Sequence, residues 1–586
     1  MALIRSIFPP PRVFQSLDKG FTPKTAKPRW QGEPVTGWEQ LEPLLDSVPA
    51  WNIHLRVDAT LNRQGYRWSA SGNGIAFEAS ELSGFRHGLT ALKQWADEAA
   101  VPGPGLEVRD EPAFQRRGFM LDVSRCRVPK LSSLKRLVTW MAELRLNELQ
   151  LYTEHTFAYP NHEAVWRGAS PLTGDEVRQL DRFCRERGID LVPNQNCFGH
   201  MERWLIHAAY QCLAEHPNPF TNRYGTRYPV GPSLQPNGHS LDFVTGLLDT
   251  LLPCFSQRTV NIGCDETFDL GQGRTAAEVN RRGLRRVYLS YLNALADRLA
   301  KRGYEAQFWA DILLEAGGDA SDLADNLIPM VWGYEPDHPF DDQLARVAEG
   351  NRPFYVVPGT SGWNSFLGRL DTGEANLLRA GEAGRVAGAH GFLITEWGDN
   401  GHHQPEAVTL YGLALGAAQA WLPGGSDRSS VEQWLDRRVF VNPVGGSAAW
   451  WGQAGTAHRI LEHPLPNWSP AARVLLDQPE RSEAVARAIP DNRWQAFEKR
   501  LEALAEREPS LQENSDRAES LSLQRRTALA FGHLAALRAS IRRGTRPLSD
   551  WTKVRAAAID LHRASWLQTS RPGGLDQSCA RIPTEP

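Results

Sequence analysis

The sequence predicts an α/β protein: a (β/α)8 TIM barrel preceded by a small α/β domain and followed by a mainly helical C-terminal region. Three observations carry this. Between residues 113 and 421, eight apolar strand-like runs alternate with helical segments, the order expected of a parallel barrel. The runs are apolar throughout rather than alternating, as strands covered on both faces are. No Gly-x-Gly-x-x-Gly follows the first run, which removes the main sign of the competing open, doubly wound sheet.

Residues 1–112 read as the small α/β domain. Strand-like runs occupy 51–59 and 66–80, the second turning back at Gly72-Asn73-Gly74, a hairpin signal. Segment 84–99 places Leu89, Leu92 and Trp95 on one helical face. Gly and Pro at 101–105 punctuate its end. The barrel strands are read at 118–125, 148–154, 189–195, 259–266, 306–311, 327–334, 354–360 and 391–397. Helices are read at 132–144, 174–188 and 276–303. Residues 422–586 form the helical region, with amphipathic stretches at 494–511 and 525–544 and a loose polar tail from about 570.

A chain of 586 residues exceeds one hydrophobic core, so two to four domains are expected. It is 41% hydrophobic and 23% charged, which excludes a disordered chain. A net charge of −3 offers no positive field for nucleic acid or an anionic membrane. No run of apolar residues is long enough to span a bilayer, and the N-terminus meets prolines at once, without a signal-peptide core. The seven cysteines (Cys126, Cys184, Cys197, Cys212, Cys254, Cys264 and Cys579) are odd in number and form no Cys-x-x-Cys. That fits reduced thiols and a cytoplasmic location, and neither a disulfide frame nor a zinc site. His402-His403 is adjacent in sequence, and neighbouring side chains diverge on regular elements, so a loop role is expected and no metal. The 20 Trp residues suit the flat apolar faces of sugar rings as well as a large core.

Barrel enzymes work at the C-terminal ends of their strands. Strand 1 ends in Asp122, Ser124 and Arg125; strand 2 in Glu154-His155; strand 3 runs through Asn194-Gln195-Asn196 to Gly199-His200. Strand 4 ends in Asp265-Glu266, strand 5 in Trp309 and Asp311, and strand 6 in Trp332 and Tyr334. Strand 7 leads to Trp363-Asn364 and strand 8 to Glu396-Trp397-Gly398-Asp399. Phosphate chemistry favours Lys, Arg and Gly-rich loops; carboxylates with Trp fit glycoside hydrolysis. Breaking a glycosidic bond needs an acid for the leaving oxygen and a stabiliser for the anomeric cation. Asp265-Glu266 supplies a pair, provided that the chain turns after Gly263 so that both face one site.

These residues resemble glycoside hydrolase family 20, the β-N-acetylhexosaminidases, and in particular its hexosaminidase D branch. The likeness covers roughly residues 50–410. Its marks are Arg116-Arg117-Gly118 before Met-Leu-Asp-Val-Ser-Arg, the Phe-Gly-His at 198–200, and Asn-Ile-Gly-Cys-Asp-Glu-Thr at 261–267. Cys264 stands where the family more often has glycine. The resemblance implies an exo-acting enzyme that removes terminal β-linked N-acetylhexosamines without a cofactor. The substrate's own acetamido oxygen would be the nucleophile, with Glu266 as the acid and then the base, and Asp265 orienting the acetamido group. Arg117 would hold sugar hydroxyls. Trp309, Trp332 and Trp397 would wall the acetamido pocket. Asp399 would receive outer hydroxyls, with His200 and Glu154 as polar supports. A glycan substrate is implied, no nucleic-acid or membrane partner is expected, and the helical region could serve a homodimer or cap the barrel.

One stretch departs from the family. After strand 7 the family has Trp-Tyr-x-Asp, its Tyr donating to the acetamido oxygen. Here the chain reads Thr360-Ser361-Gly362-Trp363-Asn364-Ser365. Tyr334 and the Trp363 N–H become the candidate donors, and Asn364 the candidate replacement for the Asp. Two other readings stand beside the main one: a two-carboxylate retaining glycosidase with Glu396 as nucleophile, and a barrel that binds amino sugars without turnover.

Overall fold

The computed structural model describes residues 6–315, 318, 320–442, 444–509 and 516–586. Six strands form the first sheet: β1 (Val13–Phe21), β2 (Arg29–Trp30), β3 (Ile53–Val57), β4 (Tyr66–Ser71), β5 (Gly74–Ala79) and β6 (Gly103–Asp110). Their order is β1-β6-β4-β5-β3-β2. The hairpin read from Gly72-Asn73-Gly74 is β4–β5, with Ser71 opposite Gly74 and Gly72 at φ 59°. The helix Leu82–Ala96 buries Phe85, Leu89, Leu92 and Trp95 in one core with Trp68 and Phe77 of the sheet. The strand β1 is mostly exposed, so it carries little apolar signal. The strand β6 begins inside the Gly/Pro punctuation of 101–105. Its Gly105 leaves no room for a side chain: a Cβ there would lie 2.0 Å from the Lys19 carbonyl oxygen.

The second sheet is the barrel. Its strands are β7 (Arg116–Asp122), β8 (Glu148–Tyr152) and β9 (Asp190–Val192), and, after the short hairpin β10 (Phe220–Thr221) and β11 (Arg227–Tyr228), β12 (Thr259–Asn261), β13 (Glu305–Trp309), β14 (Leu327–Trp332), β15 (Tyr355–Val357) and β16 (Gly391–Glu396). All eight barrel strands are parallel, in the order β12-β13-β14-β15-β16-β7-β8-β9. The ring is joined by the Asn194–Asn261 bridge, where Gln195 N–H donates to the Asn261 carbonyl at 2.9 Å.

Each strand lies where the sequence places it, but most end early. β12 stops at Asn261 and β9 at Val192, and the residues beyond leave the ladder to build the mouth. Strand alternation divides the side chains. Met120, Tyr152, Trp309, Met330, Val357 and Leu393 share the barrel interior. Phe119, Leu121, Phe392 and Ile394 face the surrounding helices. Below the apolar layer lies a polar one, in which Arg116 pairs with Glu148 and Asp190, and Gln150 bonds Gln307 and Asn194.

The helix read at 276–303 is two, Ala276–Arg282 and Leu284–Ala300, divided at Gly283 with φ 85°. In the C-terminal region Asp516–Arg542 packs on Asp491–Glu506 and Trp551–Thr569. The tail is not loose. Leu575–Ala580 is helical, Leu575, Ser578 and Cys579 are buried, and a Cβ on Gly574 would meet the Cys126 carbonyl oxygen at 1.9 Å. Its glycines serve close packing rather than freedom. Residues 510 and 511 of the helix read at 494–511, and the first five residues of the chain, lie outside the described residues. Among the described residues no helix is long and apolar enough to cross a membrane.

Candidate active site

Beyond β12 the chain takes left-handed φ at Gly263 (68°), Cys264 (71°) and Glu266 (49°). Gly263 must lack a side chain, because a Cβ would fall 1.8 Å from Asn196 Oδ1. Gly199 admits the strand-3 loop in the same way, since a Cβ there would lie 2.1 Å from the Asp265 carbonyl oxygen. Among the bonds that hold the turn, Glu266 N–H donates to Asp311 Oδ2 at 3.0 Å, and the Tyr288 hydroxyl to the Cys264 carbonyl at 2.8 Å. The turn brings two adjacent carboxylates to one imidazole. His200 Nε2 lies 3.3 Å from Asp265 Oδ2 and 3.5 Å from Glu266 Oε2.

Burial, helped by the Asp265 charge, raises Glu266 to about 7 although His200 opposes it. For His200, burial disfavours the imidazolium, but Asp265 outweighs it and lifts the group to about 10. At neutral pH the arrangement is an imidazolium between two carboxyls, one of them ready to hold a proton. Asp265 Oδ1 is buried and accepts no hydrogen bond among the described residues.

A second cluster gathers on Arg125. Its guanidinium reaches Asp122 Oδ2 at 3.0 Å, Asp399 Oδ1 at 3.3 Å and Glu154 Oε1 at 3.5 Å, and lies over the rings of Tyr152 and Trp397. Asp122 ties strand ends together, accepting from Ser124 N–H at 2.8 Å and Gly398 N–H at 2.9 Å. Glu154 accepts from the Tyr152 hydroxyl at 2.9 Å, and burial raises it to about 7 against the pull of Arg125. Burial likewise raises Asp399.

The aromatic side is continuous. Trp309 is buried with its ring centre 6.2 Å from that of Trp397. Trp397 Nε1–H donates to the Tyr334 hydroxyl at 2.8 Å, and Tyr334 stacks on the partly exposed Trp332 at 5.2 Å. Behind Tyr334 stands Trp363, edge-on at 5.0 Å. Its indole N–H is already committed to Asn467 Oδ1 at 2.7 Å. Asn364 is committed at both ends of its amide, donating to the Asn467 carbonyl at 3.1 Å and accepting from Asn400 Nδ2 at 2.9 Å. Asn467 N–H donates in turn to Glu335 at 2.7 Å. The C-terminal region thus braces the wall formed by strands 6 and 7.

Asp265, Glu266, His200, Glu154, Asp399, Trp309, Trp332, Tyr334 and Trp397 therefore come together at the mouth and its floor. Trp363 and Asn364 stand behind the wall, buried and bonded to Asn467 and Asn400. Arg117 is a correction. It has the outward parity of Phe119 and Leu121, near the opposite end of the barrel, and is fully buried. It donates to the Arg145 carbonyl through two nitrogens, to the Phe114 carbonyl and to Gln64. Burial beside Arg145 draws it down to about 9. The mouth arginine is Arg125, and its place three residues past Asp122, beyond the C-terminal end of the strand, would have found it. Glu396 is a second correction. It shares the parity of Phe392 and Ile394, accepts from Thr360 at 2.7 Å and Gln404 at 2.8 Å, and so turns away from the barrel axis. His403 Nε2 contacts the Ser578 carbonyl at 3.1 Å, and no metal-binding cluster exists among the described residues. Asn196, which donates to the Tyr152 hydroxyl at 2.6 Å, is a mouth residue whose role the sequence did not assign.

Residues 114–349 match the family described as glycosyl hydrolase family 20, catalytic domain. A beta-hexosaminidase of Akkermansia muciniphila is 26% identical over 281 residues, covering 43% of this chain and 56% of that protein. Hexosaminidase D of Homo sapiens is 27% identical over 238 residues, covering 38% and 46%. The chain spans about half the length of the curated relatives it matches. Flavobacterium johnsoniae chitobiase superposes with a TM-score of 0.60 at 17% identity, over 95% of this chain and 96% of that one. A β-N-acetylhexosaminidase from Bacteroides fragilis gives 0.59 at 19%, over 74% and 96%. These structures share the fold. The family match stops before β15 and β16, the stretch where the expected Tyr is missing. The match runs from the first barrel strand through Asp265-Glu266, so this part of the chain is similar to the catalytic domain of glycosyl hydrolase family 20.

Proposed function

We propose that the protein is an exo-acting β-N-acetylhexosaminidase that hydrolyses terminal β-linked GlcNAc or GalNAc with retention and without a cofactor. The observation that carries this is the Asp265–Glu266 turn, with His200 bridging both carboxyls. Glu266, raised to about 7, protonates the departing oxygen and later takes a proton from water. Its partner Asp265 orients the acetamido group through the carboxylate oxygen that has no partner among the described residues. It also steadies the positive charge as the acetamido oxygen closes on the anomeric carbon. The Arg125–Glu154–Asp399 cluster grips sugar hydroxyls, and Trp309, Trp332 and Trp397 enclose the acetamido methyl. Tyr334 accepts the Trp397 N–H and keeps its own proton to donate to the acetamido oxygen, since the Trp363 N–H is spent.

The two-carboxylate alternative loses its nucleophile, because Glu396 faces away from the axis. The binding-only alternative has no support in the intact acid pair. The test is a hydrolysis panel of nitrophenyl GlcNAc, GalNAc and plain hexosides with wild type and Glu266→Gln. Turnover confined to the 2-acetamido sugars and abolished in the variant is expected; equal turnover of plain hexosides would sink the proposal. A cytoplasmic location and a homodimer belong to the same proposal, and light scattering in solution tests the dimer.

A further inference from the structure

Against the turn that carries the acid pair stands Asp311, a side chain with no role in the mechanism above. Asp311 begins the short helix Asp311–Glu315 after β13. The β12–β13 ladder continues through Ile262 N–H to the Gln307 carbonyl at 2.9 Å and Trp309 N–H to the Gly263 carbonyl at 3.0 Å. There the backbone pairing ends, because Gly263, Cys264 and Glu266 have left-handed φ. The next donor along the turn, Glu266 N–H, is taken by the Asp311 carboxyl at 3.0 Å. A side chain thus continues the ladder where the backbone cannot.

We infer that Asp311 is a positioning residue for the acid: its carboxyl holds Glu266 in the left-handed turn and so aims the Glu266 side chain at the leaving oxygen. A left-handed φ at a residue with a long side chain is strained and persists only where the surroundings enforce it. Among the described residues no other group accepts the Glu266 N–H. The second oxygen, Asp311 Oδ1, is buried without a partner among the described residues. Burial and the neighbouring Asp265 charge push Asp311 well above the usual carboxylate range, against the Glu266 N–H bond. Asp311 accepts that bond through one oxygen, Oδ2. The upward push suits the place, because a third full negative charge beside Asp265 and Glu266 would be opposed by both.

This role makes a distinction that simple structural support does not. Asparagine keeps a neutral carbonyl acceptor at the same place, whereas alanine removes it. Asp311→Asn is expected to keep kcat within a few-fold of wild type. Asp311→Ala is expected to lose about 100-fold in kcat, the scale of a misplaced catalytic group, with KM nearly unchanged. The loss should also depend on the leaving group. A 2,4-dinitrophenyl N-acetylglucosaminide departs without protonation and should lose little in the Ala variant; a methylumbelliferyl or alkyl glycoside should lose most of its rate. Equal losses for both leaving groups, or an Asn variant as damaged as Ala, would overturn the inference. The inference rests on the proposed hydrolase reading, but a crystal structure of Asp311→Ala separates the two. Glu266 out of the left-handed region supports the positioning role whatever the enzyme turns over, and an unchanged turn overturns it. Failure of the wild type on every 2-acetamido glycoside would count against the hydrolase reading alone.

Discussion

His200 Nε2 stands 3.3 Å from Asp265 Oδ2, and that contact sets the charge of the imidazole beside the acid. The imidazole remains charged to about pH 10 because Asp265 faces it. Asp265→Asn removes the partner and the orienting charge together. It is expected to lower kcat by about 10²–10³, the range for loss of a preorganised stabilising group, with KM nearly intact. Steady-state kinetics on a nitrophenyl GlcNAc glycoside checks this, and unchanged kcat would remove Asp265 from the reaction.

Glu266 has to hold a proton to act as the acid, and its value is about 7. Activity should therefore fall about tenfold per unit as pH rises past 7. His200 is among the groups that lower Glu266. Taking its positive charge away in His200→Gln should raise the Glu266 value, so the alkaline limb of kcat/KM moves to higher pH. A limb that moves down or stays fixed would show that another group sets it.

The two arginines of the first strand should behave as opposites. Arg125→Lys loses the geometry that spans Asp122, Glu154 and Asp399, and kcat/KM should fall about 100-fold with little change in Tm. Arg117→Met strands the buried carbonyls of Arg145 and Phe114. It should cost about 2–4 kcal/mol of stability, from one or two buried acceptors left unpaired, and leave KM alone. Denaturant unfolding and kinetics on both variants decide the matter.

The titrating groups of the site give their own share of the pH dependence of stability a definite sign. Glu154, Glu266 and Glu396 all rise from 4.5 to about 7 on folding. The folded state then binds more protons than the unfolded one between those values, so stability falls as pH rises from about 4.5 to 7. His200 rises from 6.5 to about 10, and its contribution, full below 6.5, is lost as pH climbs towards 10. The buried His155 and His403, drawn down to about 3, work the other way as pH rises to 6.5, so the share of His200 is read by difference: His200→Gln should lose less Tm than wild type between pH 6.5 and 8.5, and an equal loss would contradict the assignment.

Barrel architecture was legible because eight apolar runs, each long enough to cross a sheet, survive in one sequence. Strand ends were harder. Asp265-Glu266 reads as a strand end in sequence, yet two residues before it, at Gly263, the backbone pairing has stopped, because left-handed residues do not announce themselves unless they are glycine. Arg117 and Arg125 show the same limit. Both sit in one motif and share one parity; β7 turns Arg117 outward, and Arg125 reaches the mouth because the strand ends at Asp122. The Trp363–Asn467 bond joins residues 104 apart, and no local pattern could have paired them. The tail shows the converse: its Pro/Gly composition suggested looseness where tight approach to Cys126 needed small residues.

The Asn467 brace also has a consequence in time. A growing chain emerges N-terminus first, so Asp265, Glu266 and the eight barrel strands leave the ribosome well before Asn467 does. Until that residue arrives, Trp363 and Asn364 lack the acceptors they hold in the finished protein, and the wall behind Tyr334 is unsecured. Acid chemistry and sugar fit are thus installed at different moments of synthesis. A chain released after its last barrel strand would carry the carboxylates without a finished pocket.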